Sequence, residues 1–174
     1  MELGPERTLE LAYKGPNHAP GNIFVYAPNQ KTLMAVDIVY PGWVPFDLLS
    51  VSTNIPGLIE AHEQILGYEF DTFVGGHIGR TGNREDVKLA VEYIDDLQSK
   101  AIAALEDNPR SEIIPPLGRE YGFEHSWWLT DQHTQAVTQQ CTQAMEKAWK
   151  GRLGGVETFA REHCKRMQFS LRID

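Results

Sequence analysis

No run of apolar residues in the 174-residue chain reaches the roughly 18 that a membrane-spanning helix needs. Basic charge is in short supply: 16 Lys and Arg stand against 24 Asp and Glu, a formal net charge of −8. Nucleic acid and anionic membranes both require a basic footprint, so neither is expected as the main partner. Cysteine is scarce as well. Cys141 and Cys164 fall in expected helices without a CxxC neighbour and read as buried free thiols rather than a disulfide or a zinc knuckle. The opening Met1-Glu2-Leu3-Gly4-Pro5-Glu6 has neither the basic start nor the apolar stretch of a signal peptide, so a reducing, cytoplasmic setting is expected. Ser50, Ser52 and Thr53 lack a G-x-S-x-G context, which argues against a serine hydrolase. The glycines around His77 match neither G-x-G-x-x-G nor a P-loop, which argues against a nucleotide site. There is no internal repeat.

The length suits one domain with a helical appendage, set here at residues 1–107 and 119–174. Residues 7–14 alternate, with Leu9, Leu11 and Tyr13 on one side, the period of a half-buried strand. Ile23-Phe24-Val25-Tyr26 and Leu33-Met34-Ala35-Val36 are short apolar runs joined by the turn-rich Ala27–Lys31, so three adjacent antiparallel strands are expected. The two prolines and the glycine between Tyr40 and Phe46 exclude a helix and predict an ordered loop whose aromatic residues wall a pocket. Asn54 with Pro56 starts a helix running to about Leu66, and its His62 reads as a packed core histidine. Phe70–Val74 is a fourth strand. Asn83 caps a long helix with Glu85 and Asp86 in its first turn and a stripe of Val87, Ala90, Val91, Ile94, Leu97, Ala101 and Leu105. Asn108–Arg110 and Ile114–Gly118 read as a linker. Beyond it, Val137, Cys141, Ala144, Met145 and Ala148, then Val156, Phe159, Ala160, Cys164, Met167 and Leu171, predict a helical hairpin broken at Gly151 and Gly154-Gly155. Trp127, Trp128 and Trp149 read as its anchors.

Three candidate metal ligands sit at strand ends: His18 in Pro16-Asn17-His18-Ala19-Pro20-Gly21-Asn22, Asp37 after Thr32–Val36, and His77 in Phe73-Val74-Gly75-Gly76-His77. Imidazole and carboxylate are ordinary ligands of catalytic zinc, and a 2-His-1-carboxylate set also suits Fe(II), so the metal stays open. Arg80 and Arg84 flank His77 and read either as anion-binding groups or as a solvated loop and a helix-start ion pair.

The His18 segment resembles the H-[ST]-P-G-[NS] motif of the metallo-β-lactamase superfamily. Leu33–Asp37 is similar to that family's apolar strand ending in a metal-bridging aspartate, and Gly75-Gly76-His77-Ile78 to its P-G-H-G loop, with Gly75 in the proline position and Ile78 in that of the second glycine. Asp37 follows His18 by 19 residues and His77 follows Asp37 by 40. The family's H-x-H-x-D-H signature is absent, and no His-x-His pair occurs. The resemblance covers about residues 7–106. It implies an α/β (α+β) fold, the C-terminal half of an αββα sandwich with a mostly antiparallel sheet and flanking helices, extended by the helical hairpin. It further implies a zinc-dependent hydrolase with His18, Asp37 and His77 as ligands and Asp37 as the catalytic bridge. Such a remnant would be weak or inactive alone and would act on a small-molecule substrate if active.

Two alternatives stand beside that reading: a non-catalytic oligomerisation or binding module, and a fragment whose missing half lies upstream of Met1. A lone half leaves one sheet face uncovered, taken as Leu9, Leu11, Ile23, Val25, Leu33 and Phe73. A homodimer, or a partner chain supplying the missing half, is therefore expected, with the helical hairpin as a competing cover.

Overall fold

The computed structural model describes residues 1, 4, 7–77 and 79–171; Ile78 and most of the Met1–Glu6 stretch lie outside them. The fold is mixed α+β. Four strands, β1 (Glu10–Tyr13), β2 (Ile23–Ala27), β3 (Thr32–Ala35) and β4 (Thr72–Val74), form one sheet in the order β1-β2-β3-β4. The first two pairings are antiparallel, as expected, and β4 runs parallel to β3. A parallel neighbour needs a crossover, and residues 36–71 provide it. They contain α1 (Asp47–Val51) and α2 (Ile55–Leu66), after which come α3 (Arg84–Asp107), α4 (Arg110–Tyr121), α5 (Ser126–Trp149) and α6 (Val156–Ser170).

Local signals start the two expected helices. Asn54 accepts a bond from the Gly57 N–H at 2.8 Å. Asn83 accepts from the Glu85 and Asp86 amides while the Asp86 carboxylate accepts from the Asn83 N–H, a complete capping box. Val87, Ala90, Ile94, Leu97 and Ala101 are buried on α3, and α3 packs on α2, α5 and α6. One continuous hydrophobic cluster joins Phe24, Leu33 and Phe73 of the sheet to Leu97, Met145 and Met167 of the helices.

The strand register divides the expected apolar face. Tyr26, Leu33 and Phe73 stand opposite one another, as do Phe24 and Ala35, and Phe24, Leu33, Ala35 and Phe73 are fully buried. Leu11, Val25, Met34 and Val74 form the next row and lie on the other face. On that face Leu11 is 55%, Tyr13 59% and Ile23 40% exposed. Leu33 and Phe73 thus belong to the covered face, not to the open one. The cause is the side-chain period of two, by which neighbouring residues of a strand look to opposite sides. The helical hairpin does not cover the open face: α5 packs on α3 and α4, and α6 on α1 and α3.

Three further expectations are corrected. The linker is the helix α4, with Pro115 and Pro116 inside it. The carbonyls these prolines leave unbonded belong to Ser111 and Glu112, which are exposed, so water meets the need that usually excludes proline. Cys141 and Cys164 form a disulfide between α5 and α6; both lie on the inward stripes of the two helices and are buried. Trp149 is an anchor, buried and donating Nε1–H to Asp96 at 2.7 Å, but Trp127 is 87% and Trp128 40% exposed. No helix among the described residues is long and apolar enough to cross a membrane.

The disulfide closes a loop with a sequence separation of 23, for which chain entropy gives roughly 3 kcal/mol. Reduction, or Cys141→Ala with Cys164→Ala, should lower the melting temperature, and thiol titration of the unfolded, unreduced chain should find none free. Two titratable thiols would contradict the crosslink.

Candidate functional site

Asp37 leaves β3 with φ 61, a left-handed conformation that an aspartate tolerates better than most residues. Its N–H donates to the Gly75 carbonyl at 3.0 Å, tying the exit of β3 to the exit of β4. Close approach there depends on glycine. A Cβ on Gly75 would fall 2.2 Å from the Val39 carbonyl oxygen, and one on Gly76, at φ +90, 2.6 Å from Val36 Cγ1. The His18 loop is held from two sides. Asn22 Nδ2 donates to Val36 O at 2.8 Å and to Asn17 Oδ1 at 3.1 Å, while Thr53 N donates to His18 O at 3.0 Å. The start of α2 seats so tightly under this loop that a Cβ on Gly57 would lie 2.0 Å from Pro16 O.

These restraints bring all three expected ligands together. His77 Nε2 lies 2.8 Å from Asp37 Oδ1, and His18 Nε2 lies 3.4 Å from Asp37 Oδ2. His18 Nδ1 is buried without a hydrogen-bond partner among the described residues. Tyr40 donates its hydroxyl to Asp37 Oδ1 at 3.4 Å, and burial raises its pKa. The donors fit a metal in type, nitrogen, oxygen and nitrogen. In arrangement they meet in pairs, each histidine on a different carboxylate oxygen, and among the described residues no group of three His, Cys, Asp or Glu is placed to hold a metal ion. One imidazole and one carboxylate oxygen per ion is fewer than the three protein ligands a catalytic zinc takes.

Aromatic rings wall His77. Tyr40 stacks on it at 6.1 Å, Phe46 meets it edge-on at 5.7 Å, and Phe159 lies 6.1 Å from Phe46. Phe46 is set by an element the sequence did not announce: in α1, Leu48, Leu49, Ser50 and Val51 all have φ between 52 and 60, a left-handed turn costing about 1–2 kcal/mol per residue. Ser50 N donates to Phe46 O at 2.9 Å and Ser50 Oγ accepts from Phe46 N at 3.2 Å. Buried His163 fixes the same carbonyl. Its Nε2–H donates to Phe46 O at 2.9 Å, so its Nδ1 accepts from the Tyr93 hydroxyl at 2.7 Å. Sequence reasoning missed His163, Tyr93, Ser50 and Phe159 as supports of the site, although His163 and Tyr93 are polar residues on apolar stripes.

His62 is a packed histidine, as read: it is buried and donates Nδ1–H to Leu58 O at 2.7 Å. The arginines are engaged elsewhere. Arg80 grips Asp86 through two bonds of 2.6 and 2.9 Å, which lowers the Asp86 pKa. Arg84 donates to the Tyr68 and Leu66 carbonyls.

No family model matches the chain. Over 81 residues it is 39% identical to the 2,4-dinitroanisole O-demethylase subunit alpha of Nocardioides sp. (strain JS1661), a match covering 44% of this chain and 23% of that protein. The chain therefore spans less than a quarter of the length of the curated relative it matches. The expected membership of the metallo-β-lactamase superfamily is corrected on these findings: the matched protein carries an O-demethylase name, and the hydrolase label drawn from that family goes with it.

Burial lowers the pKa of both His62 and His163 to about 4. Unfolding releases them to bind protons near 6.5, so stability is full above about pH 6.5 and falls as pH drops toward 4, by roughly 3 kcal/mol per histidine. Melting curves should show proton uptake on unfolding in that window, and a flat profile would contradict the two buried neutral rings. In the left-handed turn, Val51 is 69% exposed. Val51→Gly should relieve strain by about 1 kcal/mol and raise the melting temperature by roughly 2–4 °C; calorimetry decides.

Proposed function

We propose that His18, Asp37 and His77 form one side of a metal-dependent site at which an aryl ether and water exchange groups, the C–O bond breaking to leave a phenol and the alkyl group departing as an alcohol. The observation that carries the reading is the pair of imidazoles on the two separate oxygens of Asp37. Each oxygen of Asp37 would thus have one imidazole beside it with which to help hold an ion. The reaction class comes from the matched relative, an O-demethylase subunit by name. A divalent ion, Zn or Fe by ligand type, would supply Lewis-acid polarisation of the substrate oxygen. The chain's own residues do the rest. Tyr40 steadies Asp37 through its hydroxyl, and Tyr40 and Phe46 hold the His77 ring from two directions.

The remaining ligands, on this reading, come from a second surface seated on the open face of the sheet around Leu11, Tyr13 and Ile23, as the missing layer of a two-sheet sandwich. A second copy of the chain is the simplest source, and a partner chain the other. The competing reading, a non-catalytic binding module, is favoured by the lack of a complete ligand set among the described residues.

Equilibrium dialysis against Zn2+ and Fe2+, with light scattering on the same sample, tests the proposal. Metal should bind, His77→Ala should weaken it by about tenfold or more as a ligand is lost, and Leu11→Asp should disperse the assembly and the metal together. Metal binding unchanged in His77→Ala would overturn the site, and tight assembly without metal would favour the binding module.

A further inference from the structure

Trp43 has no part in holding Asp37, yet the fold builds a seat for it. Val44 N donates to Gly154 O at 3.0 Å and Gly154 N donates to Gly42 O at 2.9 Å, clamping the Tyr40–Phe46 loop onto the turn before α6. The indole lies directly on the two glycines of that turn. A Cβ on Gly154 would fall 2.8 Å from Trp43 Cδ2 and Cε2, and one on Gly155, 3.1 Å from both Trp43 Cε3 and Phe159 Cδ2. Any side chain at residue 154 would lift the ring away. With the glycine backbone beneath it, Trp43 is still 41% exposed. Phe159 borders the same Gly155 position as Trp43, its ring lies 6.1 Å from Phe46, and Phe46 lies 5.7 Å from His77.

We propose that Trp43 is the stacking platform of an aryl subsite that selects electron-poor, nitro-substituted rings. The assignment rests on the metal-site reading above for its neighbour but on the Trp43 seat for its own geometry. An indole is the most electron-rich side chain, and it stacks best on a ring whose electron density has been withdrawn. A platform fixed from behind loses little freedom when a flat ring lands on it. The chain's net charge of −8 suits a neutral nitroarene better than an anionic substrate.

The test is binding, which needs neither turnover nor metal. 2,4-Dinitroanisole and anisole are titrated against the full chain and against Trp43→Leu and Trp43→Phe, with circular dichroism to confirm the fold. The wild-type chain should prefer the dinitro compound by about tenfold, corresponding to one good aromatic stack. Trp43→Leu should reduce that preference to about twofold or less, and Trp43→Phe should keep most of it. An unchanged preference in Trp43→Leu, or equal binding of both compounds by the wild type, overturns the subsite. Failure of the metal site is read separately, in the dialysis of His77→Ala, which leaves Trp43 untouched.

Discussion

The hydrogen bond from Asp37 N to Gly75 O is the constraint on which the site depends. It joins the ends of two parallel strands whose order in the chain is separated by a whole crossover, and it does so only because Gly75 and Gly76 present no side chain to Val36 and Val39. Remove that approach and His77 loses its place beside the carboxylate. The left-handed backbone at Asp37 is the local cost of turning the carboxylate between the two loops, and the surrounding bonds from Asn22 and Tyr40 hold it there.

The chemistry of the site is set by what each part contributes. The sheet fixes where the strands end, the glycines let the loops meet, and the helices supply the backing. The Tyr93–His163–Phe46 chain shows the last of these most directly: two side chains from α3 and α6 fix a backbone carbonyl in the wall of His77. Because a carbonyl can only accept, the tautomer of His163 follows from its partners, and the phenol of Tyr93, with its pKa raised by burial, remains a donor. The support is thus directional.

Much of this was legible in the sequence. Strand ends and glycine-rich turns leave strong local marks, so the places of His18, Asp37 and His77 at strand ends could be read, as could the caps at Asn54 and Asn83. Their convergence was expected from a family resemblance that the comparisons do not support, and it follows in the structure from the bonds between the loops. What could not be read depends on contacts distant in sequence. The α4 helix runs through two prolines because its open carbonyls face water, a fact of exposure rather than of propensity. The Cys141–Cys164 bond depends on how α5 meets α6, which no single helix shows. The division of Leu11 from Leu33 between two faces depends on register, and a shift of one residue reverses the answer. The family assignment failed differently: short motifs matched, but a whole-chain comparison did not.

The left-handed turn at Leu48–Val51 makes the wall beside His77 depend on a distant part of the chain. Leucine, serine and valine do not favour that conformation, and only a few local bonds between Phe46 and Ser50 hold it from within. It is braced from outside by His163, whose ring bonds the Phe46 carbonyl, and by Arg166, whose guanidinium donates to the Ser52 carbonyl. Those partners lie 117 and 114 residues further along the chain. The final form of the turn therefore depends on α6, and with it the wall beside His77: the first half of the chain carries the ligands, while part of what frames them is held by the C-terminal helix.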